Sequence, residues 1–144
     1  MLSKLLVCLT GMPGAGKSTI AEGLKSKGYE IVNLGNAVRN EAKKRNLEAS
    51  RENLGKLMLE LREKNGPGAI AELVKSEIES SSANVLLIDG VRSNDEIQVL
   101  KKFGNVKLLA IHASTDTRFS FLQKRGRSDD PQTKEHFNER DNRE

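Results

Sequence analysis

Gly11-Met12-Pro13-Gly14-Ala15-Gly16-Lys17-Ser18 has the residue types and spacing of a phosphate cradle, G-x-x-x-x-G-K-S. Its glycines permit positive φ and keep side chains out of the way, so backbone N–H groups can converge on phosphate oxygens. A helix opening at Lys17 would add the partial positive charge of its N-terminus. Lys17 supplies a mobile full charge for the β- and γ-phosphates of a nucleoside triphosphate. The Ser18 hydroxyl can ligate Mg2+, and Thr19 can help hold the nearer phosphates. Gly11, Met12, Pro13, Gly14, Ala15, Gly16, Lys17, Ser18 and Thr19 together read as the nucleotide-binding residues, with Met12 and Pro13 shaping the loop.

Asp89 ends the apolar run VLLID. A carboxylate there can hold a Mg2+-bound water beside the loop. The alternative is a turn aspartate, helped by Gly90. Three arginine-bearing segments accompany it: Gly35-Asn36-Ala37-Val38-Arg39, Asp89-Gly90-Val91-Arg92, and Arg118, Arg125 and Arg127 around Ser128-Asp129-Asp130. Arg39 and Arg92 could grip the phosphate of an acceptor. Arg118, Arg125 and Arg127 could close over a γ-phosphate and stabilise charge during its transfer. Each arginine could equally form a surface ion pair, and Arg125, Arg127, Asp129 and Asp130 could be a salt-bridged cap. Cys8, His112 and His136 are too far apart in sequence for a transition-metal site. No N-K-x-D base-reading motif is present, which argues against a GTPase switch.

These residues need elements to hold them. Lys4 to Thr10, Glu30 to Leu34, Val85 to Asp89 and Val106 to His112 read as strands. Lys17 to Lys27 reads as a helix stopped by Gly28. Leu54, Leu57, Met58 and Leu61 fall at helical spacing. Ile70, Leu73, Val74 and Ile78 repeat it after Gly66-Pro67-Gly68. Ser93 and Glu96 form a capping box, and Asp130-Pro131 reads as the N-cap and first residue of a last helix. Alternating strands and helices imply a mostly parallel sheet covered on both faces. Residues 36–80 look entirely helical, more than one crossover needs, and read as an insertion. A sheet of this kind commonly has a fifth strand, so a chain ending after four reads as a candidate fragment.

Composition sets the limits. The chain has 144 residues, most simply one domain, with a formal charge of +4 and 31% charged residues. Only 3% are aromatic, which argues against single-stranded nucleic-acid binding on stacking platforms. The modest basic excess suits a small anionic ligand. No apolar run approaches the roughly 20 residues of a membrane span. A single cysteine excludes an internal disulfide, and Cys8 in its apolar run reads as a buried, inert thiol. A cytoplasmic location follows.

The combination GMPGAGKS, IDGVRS and KRGRSDDP resembles the nucleoside-monophosphate kinases, most closely the archaeal adenylate-kinase-related group, over nearly the whole chain. The resemblance implies an α/β P-loop NTPase three-layer fold, with a helical acceptor-binding insertion over 36–80, a short lid over 118–140 and a C-terminal strand missing. It implies transfer of the γ-phosphoryl group of ATP, with Mg2+, to a small phosphorylated acceptor such as a nucleoside monophosphate. Arg39 and Arg92 would then bind acceptor. Lys17, Arg118, Arg125 and Arg127 would be catalytic, with Arg140 a further lid contributor. Departures from the family pattern are Asn36 where an aspartate is usual, Val91 where a proline is usual, and Glu96 near the position of an adenine-reading glutamine. Dephospho-coenzyme A or another metabolite as acceptor, or a non-kinase NTP-dependent regulatory role, stays open.

Overall fold

The computed structural model describes residues 3–127 and 130–143. Ser128 and Asp129, part of the expected lid segment, lie outside the described residues. In chain order the elements are β1 (Leu5–Thr10), α1 (Lys17–Ser26), β2 (Glu30–Asn33), α2 (Leu34–Lys44), α3 (Arg51–Asn65), α4 (Ala69–Glu72), α5 (Lys75–Ser80), β3 (Val85–Asp89), α6 (Asn94–Leu100), β4 (Asn105–Ala110), α7 (Thr115–Arg125) and α8 (Lys134–Asp141).

Apolar runs make the sheet. The strands lie in the order β2-β3-β1-β4, every neighbouring pair parallel. The chain leaves β1 toward one edge to form β2 and leaves β3 toward the other to form β4. The carboxyl ends of β1 and β3 therefore flank the point where strand order reverses, the place where open α/β sheets bind ligands. Register puts Asp89 beside Leu9 of β1 and Asn33 of β2.

The core is aliphatic, as the low aromatic content requires. Leu6, Cys8, Leu86 and Ile88 of the central strands are fully buried. Val38, Ala42, Leu57, Leu61, Ile70, Val74 and Ile78, from the helices between β2 and β3, join the same cluster. At about 1.5–3 kcal/mol for each fully buried aliphatic side chain, this shared core ties the helical segment to the sheet. Ile70 to Ile78 is not one regular helix. Tight bonds from Leu73 N to Ile70 O and from Val74 N to Ala71 O divide it into α4 and α5.

Two expectations need correction. β4 is an edge strand with Leu108 and Leu109 about half exposed, so the sheet is not covered over its full width. The last helix opens at Lys134 with Thr133 as its N-cap, not at Asp130-Pro131. The reason is that the Asp130 carboxylate is taken by Arg125 and by the Arg127 N–H.

Cys8 behaves as its apolar run suggests. Burial pushes its thiol up to about 11, so it stays protonated and uncharged at neutral pH. Native protein is expected to resist alkylation by iodoacetamide for as long as it stays folded, and to react on addition of denaturant. Rapid modification of folded material, followed by mass spectrometry, would contradict this.

Candidate nucleotide site

Local backbone geometry makes the loop between β1 and α1. Gly11, Gly14 and Gly16 have φ of 150°, 79° and 102°. A Cβ at Gly11 would lie 2.3 Å from the Ile111 carbonyl oxygen, and one at Gly14 would lie 2.6 Å from that of Arg118. Glycine is thus required at both by conformation and by close backbone approach. Helices α2, α3, α6, α7 and α8 each begin with an Asn, Ser or Thr side chain capping the first turn. Helix α1 instead opens at Lys17 after Gly16, and no side chain caps it, just as none caps the short α4 and α5. Its first-turn N–H groups therefore face the loop mouth, where they can donate to an anion. Lys17 Nζ lies there too, donating to the carbonyls of Gly11 at 2.5 Å and Met12 at 2.9 Å. Ser18 and Thr19 are exposed beside it. A polyphosphate suits this loop: the uncapped first-turn amides of α1 and the Lys17 ammonium lie together at its mouth.

Asp89 closes β3 at the same sheet edge, half-buried, followed by Gly90 at φ 89°. Asn33 Nδ2 donates to Asp89 Oδ2 at 3.1 Å. Asn33 Oδ1 accepts from the Asn36 N–H at 2.9 Å, and Asn36 Oδ1 accepts from Arg39 Nη1 at 3.0 Å. A continuous polar chain therefore runs from Asp89 to Arg39. Asn36 holds the arginine through an oxygen that an aspartate would also offer. Sequence reading passed over Asn33, although an Asn between an apolar strand and a helix is itself an N-cap signal. Among the described residues no group of three His, Cys, Asp or Glu side chains could hold a metal ion. Mg2+ at Ser18 and Asp89 would have to complete its octahedron from phosphate and water, as Mg2+ usually does.

Arg92 is exposed at the start of α6. Its N–H and that of Ser93 donate to Glu96 Oε2 at 2.7 and 3.3 Å, and the Ser93 hydroxyl accepts from the Glu96 N–H. Glu96 is 1% exposed, and its other oxygen lies 3.8 Å from Arg62 Nη2 of α3. The carboxylate at the position compared with an adenine reader is spent on shaping the Arg92 loop.

The three later arginines are held differently from one another. Arg118 is buried, with Nη1 and Nη2 donating to Asp141 Oδ1 and Oδ2 at 2.6 and 2.7 Å. Nη1 also donates to the Pro13 carbonyl at 3.3 Å, and the guanidinium lies 5.2 Å from the Phe137 ring centre. With Gly14 against its carbonyl, Arg118 fastens the outer wall of the phosphate loop to α8. Arg125 pairs with Asp130, which is buried and also lies 3.5 Å from Arg140. Arg127 is exposed. The Arg118 and Arg125 guanidinium groups hold the carboxyls of Asp141 and Asp130, respectively, below the usual carboxylate range.

A glycine-rich loop joining strand to helix at the switch point of a parallel sheet, with its lysine at the mouth, defines a P-loop nucleotide-binding domain of kinase-like type. A family model described as an AAA domain matches residues 10–138. The chain belongs to the UPF0200 family. It is 42% identical to a UPF0200 protein of Hyperthermus butylicus over 96% of this chain and 74% of the relative. It is 44% identical to the UPF0200 protein MJ1399 of Methanocaldococcus jannaschii over 97% of this chain and 72% of that one. The fold is also that of TT1252 from Thermus thermophilus, with a TM-score of 0.73 at 18% identity, over 99% of this chain and 81% of that one. No helix among the described residues is long and apolar enough to cross a membrane.

Proposed function

We propose that the protein is a nucleotide-kinase-type phosphotransferase that moves the γ-phosphoryl group of ATP to a small phosphate-bearing acceptor such as a nucleoside monophosphate. One observation carries the reading: a polar chain runs from Asp89, at the carboxyl end of the strand paired with β1, through Asn33 and Asn36 to Arg39. A simple triphosphate binder has no need of an arginine tethered to its metal-side carboxylate. Residues 36–80 would hold the acceptor and residues 118–140 would form the lid.

In this reading Lys17 and the α1 amides hold the β- and γ-phosphates, and Ser18 and Asp89 hold Mg2+. Bound Mg2+ supplies charge neutralisation to the phosphate oxygens. Arg39 and Arg92 orient the acceptor phosphate, whose oxygen is already anionic, so no strong base is required. Positioning and charge neutralisation then supply most of the acceleration. Arg125 and Arg127 approach the transferred group when the lid closes, and Arg118 acts through the loop it fastens. A cytoplasmic location, where nucleotides are abundant, belongs to the same reading.

The test is transfer from γ-labelled ATP across a panel of nucleoside monophosphates and phosphorylated metabolites, including dephospho-coenzyme A. A labelled product from one acceptor class supports the proposal. Nucleotide binding with no transfer to any acceptor would favour a regulatory protein. Arg92→Ala is expected to raise the acceptor KM about 10- to 100-fold, the loss of one charge-assisted hydrogen bond. The KM for ATP should change little. An unchanged acceptor KM and kcat would remove Arg92 from the site.

A further inference from the structure

The peptide group between Val91 and Arg92 is held at both ends. Its oxygen accepts from the Thr10 hydroxyl at 3.0 Å, across 81 positions of sequence. Its N–H donates to Glu96 Oε2 at 2.7 Å. Thr10 is the last residue of β1, immediately before the phosphate loop, and Glu96 stands in the first turn of α6. A peptide group is planar, so fixing its oxygen and its nitrogen fixes its orientation. The same carboxylate oxygen also takes the Ser93 N–H at 3.3 Å, so both peptide groups flanking the Arg92 Cα are held. We infer that Thr10 and Glu96 are positioning residues for Arg92: they set its backbone relative to the phosphate loop, and the grip of Arg92 on an acceptor phosphate depends on both although neither touches the acceptor. This role rests on the phosphoryl-transfer reading, in which Arg92 meets the acceptor.

Local capping does not account for the arrangement. A capping box requires only the bond from Glu96 to the Ser93 N–H, and a glutamine would serve it equally well. The shorter bond, to the Arg92 N–H, lies outside that motif. A carboxylate at 1% exposure is also costlier to bury than the amide that could replace it. The loop has need of restraint, because it follows Gly90 at φ 89°, a residue type free to take other conformations.

The far side of α6 is fixed as well. A Cβ on Gly68, just before α4, would lie 2.9 Å from the Asp95 carbonyl oxygen and 2.5 Å from Val99 Cγ2. Glu96 Oε1 lies 3.8 Å from Arg62 Nη2 of α3. The helix that carries Glu96 is therefore seated on the segment between β2 and β3, while Thr10 reaches the same peptide group from the sheet.

Two measurements on the full chain test the assignment. In the first, amide exchange is followed by NMR. Thr10→Val should speed exchange of the Arg92 N–H about 3- to 10-fold, the scale of one hydrogen bond, although Thr10 makes no bond to that group. Thr10→Ser, which keeps the hydroxyl, should exchange like the wild type. In the second, transfer from ATP to AMP, GMP, CMP and UMP is measured. Thr10→Val should raise the acceptor KM about 3- to 10-fold and Glu96→Ala about tenfold or more, with the KM for ATP unchanged. Glu96→Ala strips two N–H groups of their acceptor, so Glu96→Gln, which keeps one acceptor oxygen, is measured beside it and should show a smaller rise. In an Arg92→Ala background neither Thr10→Val nor Glu96→Ala should add to the loss, whereas a general weakening of the fold would add in full. The inference is overturned if Arg92 exchange is unchanged in Thr10→Val, if the KM for ATP rises as much as that for acceptor, or if the effects add to Arg92→Ala. It also fails if Glu96→Gln reorders the four monophosphates, since Glu96 would then read the base. Wild-type protein that phosphorylates none of the four removes the transfer reading and not the pinning, which faster Arg92 exchange in Thr10→Val still supports and unchanged exchange still overturns.

Discussion

Lys17→Ala is expected to lower the rate of phosphoryl transfer by roughly 10²–10³-fold at least, the scale for removing one preorganised donor from a transition state. The loss should fall on kcat as well as on nucleotide affinity, because the ammonium meets charge that grows during transfer. Folding should be spared. Lys17 is only half-buried, and its bonds to the Gly11 and Met12 carbonyls leave those acceptors open to water when removed. Lys17→Arg is not expected to rescue, since a planar fork cannot replace a compact ammonium between two carbonyls at 2.5 and 2.9 Å. Single-turnover transfer measured beside thermal unfolding separates the effects. A variant that transfers at the wild-type rate would show that the loop does not hold the reacting triphosphate.

Asp141→Ala should be damaging although Asp141 lies outside the phosphate loop. Removing one partner of a buried ion pair costs about 3–5 kcal/mol. The Asp141 side chain is 21% exposed, so solvent softens this, and roughly 2–3 kcal/mol is expected. Arg118 would be left buried with, among the described residues, the Pro13 carbonyl and the Phe137 ring as partners. Since Arg118 also packs on Gly14, ATP affinity should fall several-fold although Asp141 touches no nucleotide. Denaturant unfolding and calorimetry would measure the two effects. A variant with wild-type stability and affinity would refute the strut.

The same tie sets an acid limit. Asp141 and Asp130 have folded-state values held below those of the unfolded chain, about 3.9 for an aspartate. Their contribution is therefore complete above that value and is lost as pH falls through the folded values. Stability should hold from neutrality to about pH 4 and drop below it. Asp141→Asn should flatten part of that drop while lowering stability at neutral pH.

Local patterns carried much of the fold. The strand–loop–helix unit at Leu5 to Ser26 and the Ser93–Glu96 capping box depend on contiguous residues, so their spacing was enough. The apolar periodicity of 54–78 was read correctly as helical, but not its break at Leu73-Val74, which depends on packing. Asp130 misled because an Asp-Pro pair is a sound local signal for a helix start. Side-chain pairing won: Arg125 and Arg140 hold the Asp130 carboxylate, and Thr133 caps α8 in its place.

What the chain determined by sequence alone is the phosphate cradle, because positive φ, absent side chains and a lysine at the helix start are properties of consecutive residues. Only the tertiary structure decided what the arginines do. Arg118 meets Pro13 and Asp141, 105 and 23 positions away, and Arg62 of α3 meets Glu96 of α6. A guanidinium takes whichever carboxylate, carbonyl or phosphate the fold brings within reach, and no local spacing encodes that choice.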